Sequence, residues 1–238
     1  FNTDGFVVLE SVLDEGTLAQ CRAEAMSNFR ACRAVVNAKG LDLGKGCKTG
    51  FAEIVQRNHG RFEMAFGMDE GVFATDAVRR NPRIDAVVGG ALGSGDGGWT
   101  LHKTTLIVAT GGAAEQAWHA DGGHISLEKH LPAHCLSVFL PLVDLSAELG
   151  PTEFRPGSQV YTRDLARLLL AAKARRQLQP PQAPLPRAGD ALLFDFRVLH
   201  RGRANATAAD RPVLVLVYAK PWFRDVVNWP KRSLADAE

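Results

Sequence analysis

Apolar residues in the first third of the chain recur with the period of an α-helix. After a short extended opening, residues 1–10, the residues at three- and four-residue spacing are Leu18, Cys21, Ala25, Phe29 and Cys32. This spacing predicts a helix with one buried face. A second helix is expected to begin at Asn81, because asparagine is a favoured N-cap and Pro82 suits the first helical position.

From about Trp99 onward the pattern changes to short β-rich runs separated by Gly, Pro and Asp. These runs are residues 101–109, 115–120, 135–143, 191–196 and 212–219. Their rhythm predicts an antiparallel sandwich or barrel. A basic segment, residues 162–178, interrupts it and is predicted to be helical, either as a solvated face or as a lid over a pocket. No repeat or boundary divides the sequence, so we expect a single domain over residues 1–238.

The composition argues against several classes of partner. The chain has 28 Lys and Arg residues against 26 Asp and Glu, and this balance gives no electrostatic footprint for nucleic acid or for an acidic membrane surface. No apolar run approaches the roughly 20 residues that a membrane span requires. We therefore expect a small-molecule substrate, whereas the sequence leaves the oligomeric state open.

The cysteines indicate a reducing environment. The chain contains Cys21, Cys32, Cys47 and Cys135, without any CxxC spacing. We expect reduced, mostly buried thiols, which are typical of the cytoplasm or of an organelle lumen that keeps thiols reduced. Because the first residue is Phe1 and not Met, a targeting segment ahead of it stays possible.

Two candidate metal ligands lie two residues apart in the segment QAWHADGG. His119 and Asp121 would project from the same face of an extended strand, whereas Trp118 would point away and pack. One imidazole and one carboxylate form two-thirds of the facial triad that suits iron(II), which leaves three cis positions for co-substrate and oxygen. The best candidate for the third ligand is His200, near the end of the predicted strand 191–196.

An arginine follows the third candidate ligand and could bind a carboxylate. Arg211 opens an apolar predicted strand, so a rigid element would hold its guanidinium, whose planar fork matches a carboxylate. Arg201 and Arg203 lie closer to His200 and compete for this role, although a predicted loop would orient them less well.

In their order, these motifs resemble the phytanoyl-CoA dioxygenase family of iron(II)- and 2-oxoglutarate-dependent oxygenases. The HxD pair alone is weak evidence, whereas an ordered set of blocks is specific. The blocks are DGFVVLESVLDEGTLAQCRAE, HADGG, LGPTEFRPGSQ and GDALLFDFRVLHRGRANATAADRPVLVLVYAKPWFRD, and together they extend over most of the chain. One departure is Gln159, because the family's loop usually ends in PGSH.

The resemblance implies a mainly β fold with flanking helices, a double-stranded β-helix of the jelly-roll or cupin-like type with iron in its mouth. Carried over residue by residue, His119, Asp121 and His200 become the catalytic metal ligands. Arg211 becomes the residue that binds the distal carboxylate of 2-oxoglutarate. The implied cofactors are Fe(II), 2-oxoglutarate as co-substrate, and O2.

The resemblance also suggests residues that line the pocket. Counting back from His119 places Thr104 where similar proteins contact the co-substrate, and Phe139 where an aromatic residue lines its pocket. Their plain alternatives are a sheet residue and a core residue. Substrate recognition is expected from loops, among them residues 41–70, 122–134 and 221–232. Further candidate lining residues are His102, His124, Arg155, Trp222 and Arg224.

The implied reaction is hydroxylation of an unactivated carbon in a small metabolite, with decarboxylation of 2-oxoglutarate to succinate. Asp121 favours hydroxylation over halogenation, because related halogenases replace this carboxylate with a small residue. One alternative is a catalytically silent metal- or ligand-binding barrel that acts as a sensor. Another is a cupin-type isomerase or dioxygenase, which would use more histidines and would not need Arg211.

Overall fold

The computed structural model describes residues 1–93, 97–161 and 179–237. The predicted helical segment 162–178 lies outside these residues. The strands are β1 Phe6–Leu9, β2 Ile54–Asn58, β3 Arg61–Met64, β4 Thr100–Ala109, β5 Cys135–Pro141, β6 Thr152–Phe154, β7 Ala191–Asp195, β8 His200–Gly202 and β9 Arg211–Ala219. The α-helices are α1 Glu15–Ala38, α2 Asp76–Arg79 and α3 Pro82–Leu92, and short 3-10 helices occur at Gly71–Ala74 and Ser158–Val160.

Both predicted helices are confirmed, together with the side-chain caps that begin them. Asp14 caps α1 by accepting a hydrogen bond from the Thr17 amide at 2.9 Å. The cap of α3 is Asn81, whose side chain accepts from the Arg83 amide at 3.1 Å, and Pro82 takes the first helical position. The buried face of α1 consists of Cys21, Ala25, Phe29, Cys32 and Val36.

Two antiparallel sheets form the body of the described structure. The larger has the strand order β1-β7-β5-β9-β4-β3-β2, and the smaller pairs β6 with β8. Alternation along β9 separates two environments, because Leu214 and Leu216 belong to the core that α1 and α3 share, whereas Val215 and Val217 line a cavity on the other face. The prediction of a mainly β fold with flanking helices is confirmed.

Two parts of the chain differ from the strand prediction. Residues 115–120 form no regular strand and run beside β8 with few bonds, among them one from the Gln116 amide to the Gly202 carbonyl at 2.9 Å. Conversely, the predicted loop 41–70 contains the β2–β3 hairpin, which turns through Gly60 at a φ of 68°. None of the helices in the described part of the chain has the length and apolarity needed to span a membrane.

Candidate metal centre

The three predicted ligands lie together in the cavity. One potential ligand atom from each of His119, Asp121 and His200 lies within 4.8 Å of the other two. His200 Nε2 is 3.6 Å from Asp121 Oδ1, and the centroids of the two imidazole rings are 4.4 Å apart. Within the described ranges it is the one cluster of three His, Cys, Asp or Glu residues suited to a metal. Two imidazoles and a carboxylate are the donor set that suits iron(II).

Main-chain hydrogen bonds hold the two histidines opposite each other. The His119 amide donates to the His200 carbonyl at 3.0 Å, and the His200 amide donates back to His119 at 2.8 Å. Residues that exchange both bonds in an antiparallel pair have their side chains on the same face. The register of this single bridge therefore brings together two ligands that are far apart in sequence.

Each imidazole is also oriented by a carbonyl two residues earlier in the chain. Nδ1 of His119 lies 2.9 Å from the Ala117 oxygen, and Nδ1 of His200 lies 3.1 Å from the Val198 oxygen. Because a carbonyl only accepts, each ring carries its proton on Nδ1 and keeps the Nε2 lone pair for a metal.

The orientation of the Asp121 carboxylate and the charge state of the His200 imidazole also favour the binding of a cation. Ser137 on β5 donates its hydroxyl to Asp121 Oδ2 at 3.1 Å, and this leaves Oδ1 facing His200. Burial lowers the pKa of His200, and the neighbouring His119 lowers it further, although Asp121 opposes this effect. His200 is thus neutral near pH 7, which is the state that binds a metal.

The cluster opens into a cavity of about 410 Å³. Phe139 of β5 and Val215 of β9 lie opposite each other in the sheet and contribute apolar wall. Arg211 lines the same cavity, as does Arg61, which the sequence analysis did not single out. Both guanidinium groups are on one face of the sheet, because Arg61 and Arg211 pair in register with Ala109 from its two sides.

Neither arginine has a carboxylate partner among the described residues. Arg211 donates to the Gly150 carbonyl and Arg61 donates to the Arg203 carbonyl at 2.8 Å, whereas Nε of each lacks a hydrogen-bond partner in the described structure. Burial lowers the pKa of Arg211 to about 9, with a contribution from the charge of Arg61, and lowers the pKa of Arg61 to about 10. Two buried cations of this kind have the charge and the free donors that a dianion would need.

The family model described as phytanoyl-CoA dioxygenase (PhyH) matches residues 1–213. The chain belongs to the phytanoyl-CoA dioxygenase family. The cofactors expected from the sequence, iron(II) and 2-oxoglutarate, are confirmed at the level of this family, and the cluster has the donors that iron(II) requires.

One curated relative and two solved structures illustrate the similarity. Dioxygenase af480 from Aspergillus fumigatus is 30% identical over 125 residues, which are 51% of this chain and 38% of that protein. The epimerase SnoN from nogalamycin biosynthesis, a non-heme α-ketoglutarate-dependent enzyme, superposes with a TM-score of 0.61 at 23% identity, over 92% of this chain and 79% of SnoN.

The second solved structure is HygX from Streptomyces hygroscopicus, crystallised with nickel, 2-oxoglutarate and hygromycin B. It superposes with a TM-score of 0.65 at 16% identity, over 100% of this chain and 97% of HygX. At these identities the two structures show the fold, and the predicted double-stranded β-helix type is confirmed.

Not every residue expected at the family's pocket lies there. Phe139 lines the metal cavity, but Thr104 does not; it lines a neighbouring cavity of about 250 Å³. The reason is strand alternation: Thr104 pairs with Leu216 on β9, which belongs to the core under the helices. The ungapped count from His119 therefore chose the wrong face of β4 for contact with the co-substrate.

The rival arginines, Arg201 and Arg203, do not line the metal cavity. Arg201 pairs with Glu153 at 2.7 Å and also with Glu115, and Arg203 is exposed. Trp118 lies between two guanidinium groups outside the cavity, with Cζ of Arg155 at 4.5 Å and Cζ of Arg201 at 4.7 Å from its ring centre. Arg211 is therefore the candidate of the three that faces the cluster, and Arg155 is not a lining residue.

Other expected lining residues are placed as follows. His102 lines the smaller cavity, whereas His124 and the exposed Trp222 and Arg224 line neither cavity. Gln159, the departure from the family's PGSH loop, is buried and donates its amide to the carbonyls of Asn2 and Thr3 at 3.2 and 3.3 Å. Its role in this chain is to hold that loop against the N-terminus.

The C-terminal loop, residues 221–232, supplies cavity residues that sequence reasoning did not name. Asp225, Asn228 and Trp229 line the metal cavity. The Asn228 side chain donates to the Asp121 carbonyl at 2.9 Å, so the loop is attached directly to the HxD segment. No local pattern in the sequence indicates this contact, since 107 positions separate the two residues.

Proposed function

We propose that the chain is an iron(II)- and 2-oxoglutarate-dependent oxygenase that hydroxylates a small-molecule metabolite and converts 2-oxoglutarate to succinate. The observation that supports this most strongly is one cavity that contains both a His-Asp-His cluster and two buried arginines without carboxylate partners among the described residues. The cluster offers the donor atoms that would bind the metal, and the arginines offer the positive charge that would bind a carboxylate of a keto-diacid. In this proposal residues 1–238 act as a single catalytic domain.

In this proposal His119, Asp121 and His200 hold iron(II) through their Nε2 and Oδ1 atoms. When bound, the iron would supply the coordination of 2-oxoglutarate and O2 and the redox chemistry that couples decarboxylation to substrate oxidation. The protein's part is to fix the ligands. The Ala117 and Val198 carbonyls hold the rings, and such partners of metal ligands tune both affinity and geometry.

The arginines bind and orient the co-substrate. Arg211 would bind the distal carboxylate of 2-oxoglutarate, because its guanidinium is buried in the cavity wall at the start of the rigid strand β9. Arg61 adds a second positive charge beside it, and Phe139 packs against the carbon chain of the co-substrate. A buried cation that gains an anion recovers part of the free energy lost on burial. Binding of 2-oxoglutarate would therefore also compensate the charge of the buried arginines.

The test is a turnover assay with purified protein, iron(II), 2-oxoglutarate and a panel of small metabolites. We expect succinate to form only with iron and O2, and one substrate to gain the mass of one oxygen atom. A product of unchanged mass would contradict hydroxylation and would favour an epimerisation, which is the activity by which SnoN is described. Binding of 2-oxoglutarate without succinate from any substrate would instead favour the silent sensor.

The matched control for this assay is the Asp121→Ala variant, which keeps both imidazoles but loses the carboxylate. In a halide-free buffer, so that no halide can take the place of the carboxylate, its succinate formation is expected to fall to the level without iron, because one of the three protein ligands is missing. Turnover at the wild-type rate in this variant would contradict the assigned metal site.

A further inference from the structure

A second cavity of about 250 Å³ lies directly beside the metal cavity. The two cavities share Asp225 and Trp229 of the C-terminal loop. The remaining wall of the smaller cavity consists of Ala65, Asp69, His102, Lys103 and Thr104. The two cavities therefore adjoin each other at the C-terminal loop.

Lys103 is the cation of this second cavity. Its Nζ lies 3.6 Å from the centre of the Trp229 ring, and it forms no ion pair with any described residue. Glu63, an acid that lines the adjoining metal cavity, is already engaged, since it pairs with Arg57 at 2.7 Å and accepts from the Thr105 hydroxyl at 2.9 Å. Lys103 is half-buried, and a cation–π contact offsets only part of the cost of removing its ammonium group from water.

The two acids of the smaller cavity also have other partners. Asp225 accepts from the amides of Val227 and Asn228 at 3.2 and 3.1 Å and from the Asn228 side chain at 3.0 Å. Asp69 is largely exposed and pairs with Arg79 at 3.3 Å. Burial is the largest effect on the pKa of Lys103 and lowers it; Glu63, Asp225 and Asp69 raise this pKa through space and Arg57 lowers it, so the net shift is downward.

Building on the proposed oxygenase function, we propose that Lys103 binds an anionic group of the primary substrate, so that the substrate is a small organic carboxylate or phosphate. An ammonium group acts as a point charge and can donate hydrogen bonds to either anion. The ring of Trp229 contacts the same ammonium and would orient it. In this arrangement the anionic end lies in the smaller cavity, and another carbon of the substrate faces His119, Asp121 and His200.

The test is calorimetric titration of the anaerobic protein, loaded with iron(II) and saturating 2-oxoglutarate, with three small probes. Propionate and methyl phosphate are anions, and propionamide is their neutral counterpart. Wild type is expected to bind at least one anion about tenfold more tightly than propionamide, because a charge-assisted hydrogen bond is stronger than a neutral one. The tighter of the two anions identifies which group the substrate carries.

Three variants assign the preference to one side chain. Lys103→Gln is expected to bind anion and amide alike, and Lys103→Arg, which keeps the charge, is expected to retain the preference. Lys231→Gln removes an exposed cation from the same C-terminal loop, outside both cavities, and is expected to behave as wild type.

Equal binding of anions and propionamide by wild type would overturn the inference, as would an undiminished preference in Lys103→Gln. The visible absorption of 2-oxoglutarate chelated to iron(II) is recorded in the same samples. Absorption without anion preference overturns the role of Lys103 alone, whereas anion preference without absorption contradicts the oxygenase proposal and leaves an anion site.

Discussion

A Cβ atom on Gly202 would lie 2.6 Å from Cζ of Arg61. The same atom would lie 2.6 Å from Nη1 of Arg61 and 2.7 Å from Oε1 of Gln116, distances that real Cβ contacts do not show. Gly202 ends β8, two residues after the ligand His200. The absence of a side chain there makes room for the second buried guanidinium beside the metal cluster.

We therefore predict that Gly202→Ala displaces Arg61 and weakens 2-oxoglutarate binding by about tenfold while iron still binds, because a charge-assisted contact is lost. The measurement is the Kd for 2-oxoglutarate by calorimetry on the iron-loaded protein. Gly123→Ala is the control, since its added methyl group meets nothing within 4 Å. An unchanged Kd in Gly202→Ala would remove Arg61 from the co-substrate site.

Arg211→Gln is predicted to raise the Kd and KM for 2-oxoglutarate by about 10- to 100-fold, the equivalent of roughly 1.5–3 kcal/mol for a hydrogen bond to a charged group. The iron content is expected to stay unchanged, because Arg211 contacts no metal ligand. Arg203→Gln serves as the comparison, being an exposed arginine on the same segment. If Arg203→Gln raised the KM for 2-oxoglutarate and Arg211→Gln did not, carboxylate binding would have to be assigned to Arg203.

His200→Ala is predicted to lose bound iron and succinate formation but to retain the fold. His200 is 4% exposed, so we expect a loss of about 1–3 kcal/mol in the free energy of unfolding from the cavity and the broken side-chain bond. Iron content, succinate and far-ultraviolet circular dichroism measure the three effects. His59→Ala, at an exposed histidine, should change none of them, and full iron content in His200→Ala would refute its assignment as a ligand.

The thiols give a prediction that is independent of catalysis. Burial raises the pKa of Cys21 to about 12 and of Cys32 to about 11, and it raises the pKa of Cys135 still further. A raised thiol pKa means less thiolate at any given pH, hence slower alkylation. Cys47 is the partly exposed cysteine.

Brief treatment of the native protein with iodoacetamide is therefore predicted to label Cys47 and to spare Cys21, Cys32 and Cys135. Peptide mass spectrometry locates the label. Cys47→Ser should remain unlabelled under the same conditions, whereas unfolding in guanidinium chloride should expose all the thiols. Rapid native labelling of Cys135 would contradict its burial in the structure.

The sequence predicted the elements whose signals are local. The period of α1, the Asn81-Pro82 start of α3 and the apolar run of β9 each lie within one element, and the HxD spacing spans only three residues. These signals depend on propensity and on side-chain direction, which neighbouring residues determine. The position of Arg211 at the start of β9 belongs to the same class.

What the sequence did not predict depends on contacts between distant segments. Arg61 faces the cavity because the β2–β3 hairpin pairs with β4 and places it opposite Ala109, and no local pattern specifies that register. Thr104 was assigned to the wrong face because an ungapped count from His119 does not specify which face of β4 a residue occupies, whereas pairing with Leu216 places Thr104 on the core side. One residue of shift moves a side chain to the other face of a sheet.

The most direct test of the metal site is anaerobic titration of metal-free protein with iron(II) in the presence of 2-oxoglutarate. The visible absorption of the chelated keto-acid should rise and saturate at about one iron per chain, and the His119→Ala variant should show none of it. No absorption in wild type, or the same titration curve in His119→Ala, would contradict the assignment of His119, Asp121 and His200 as the iron site.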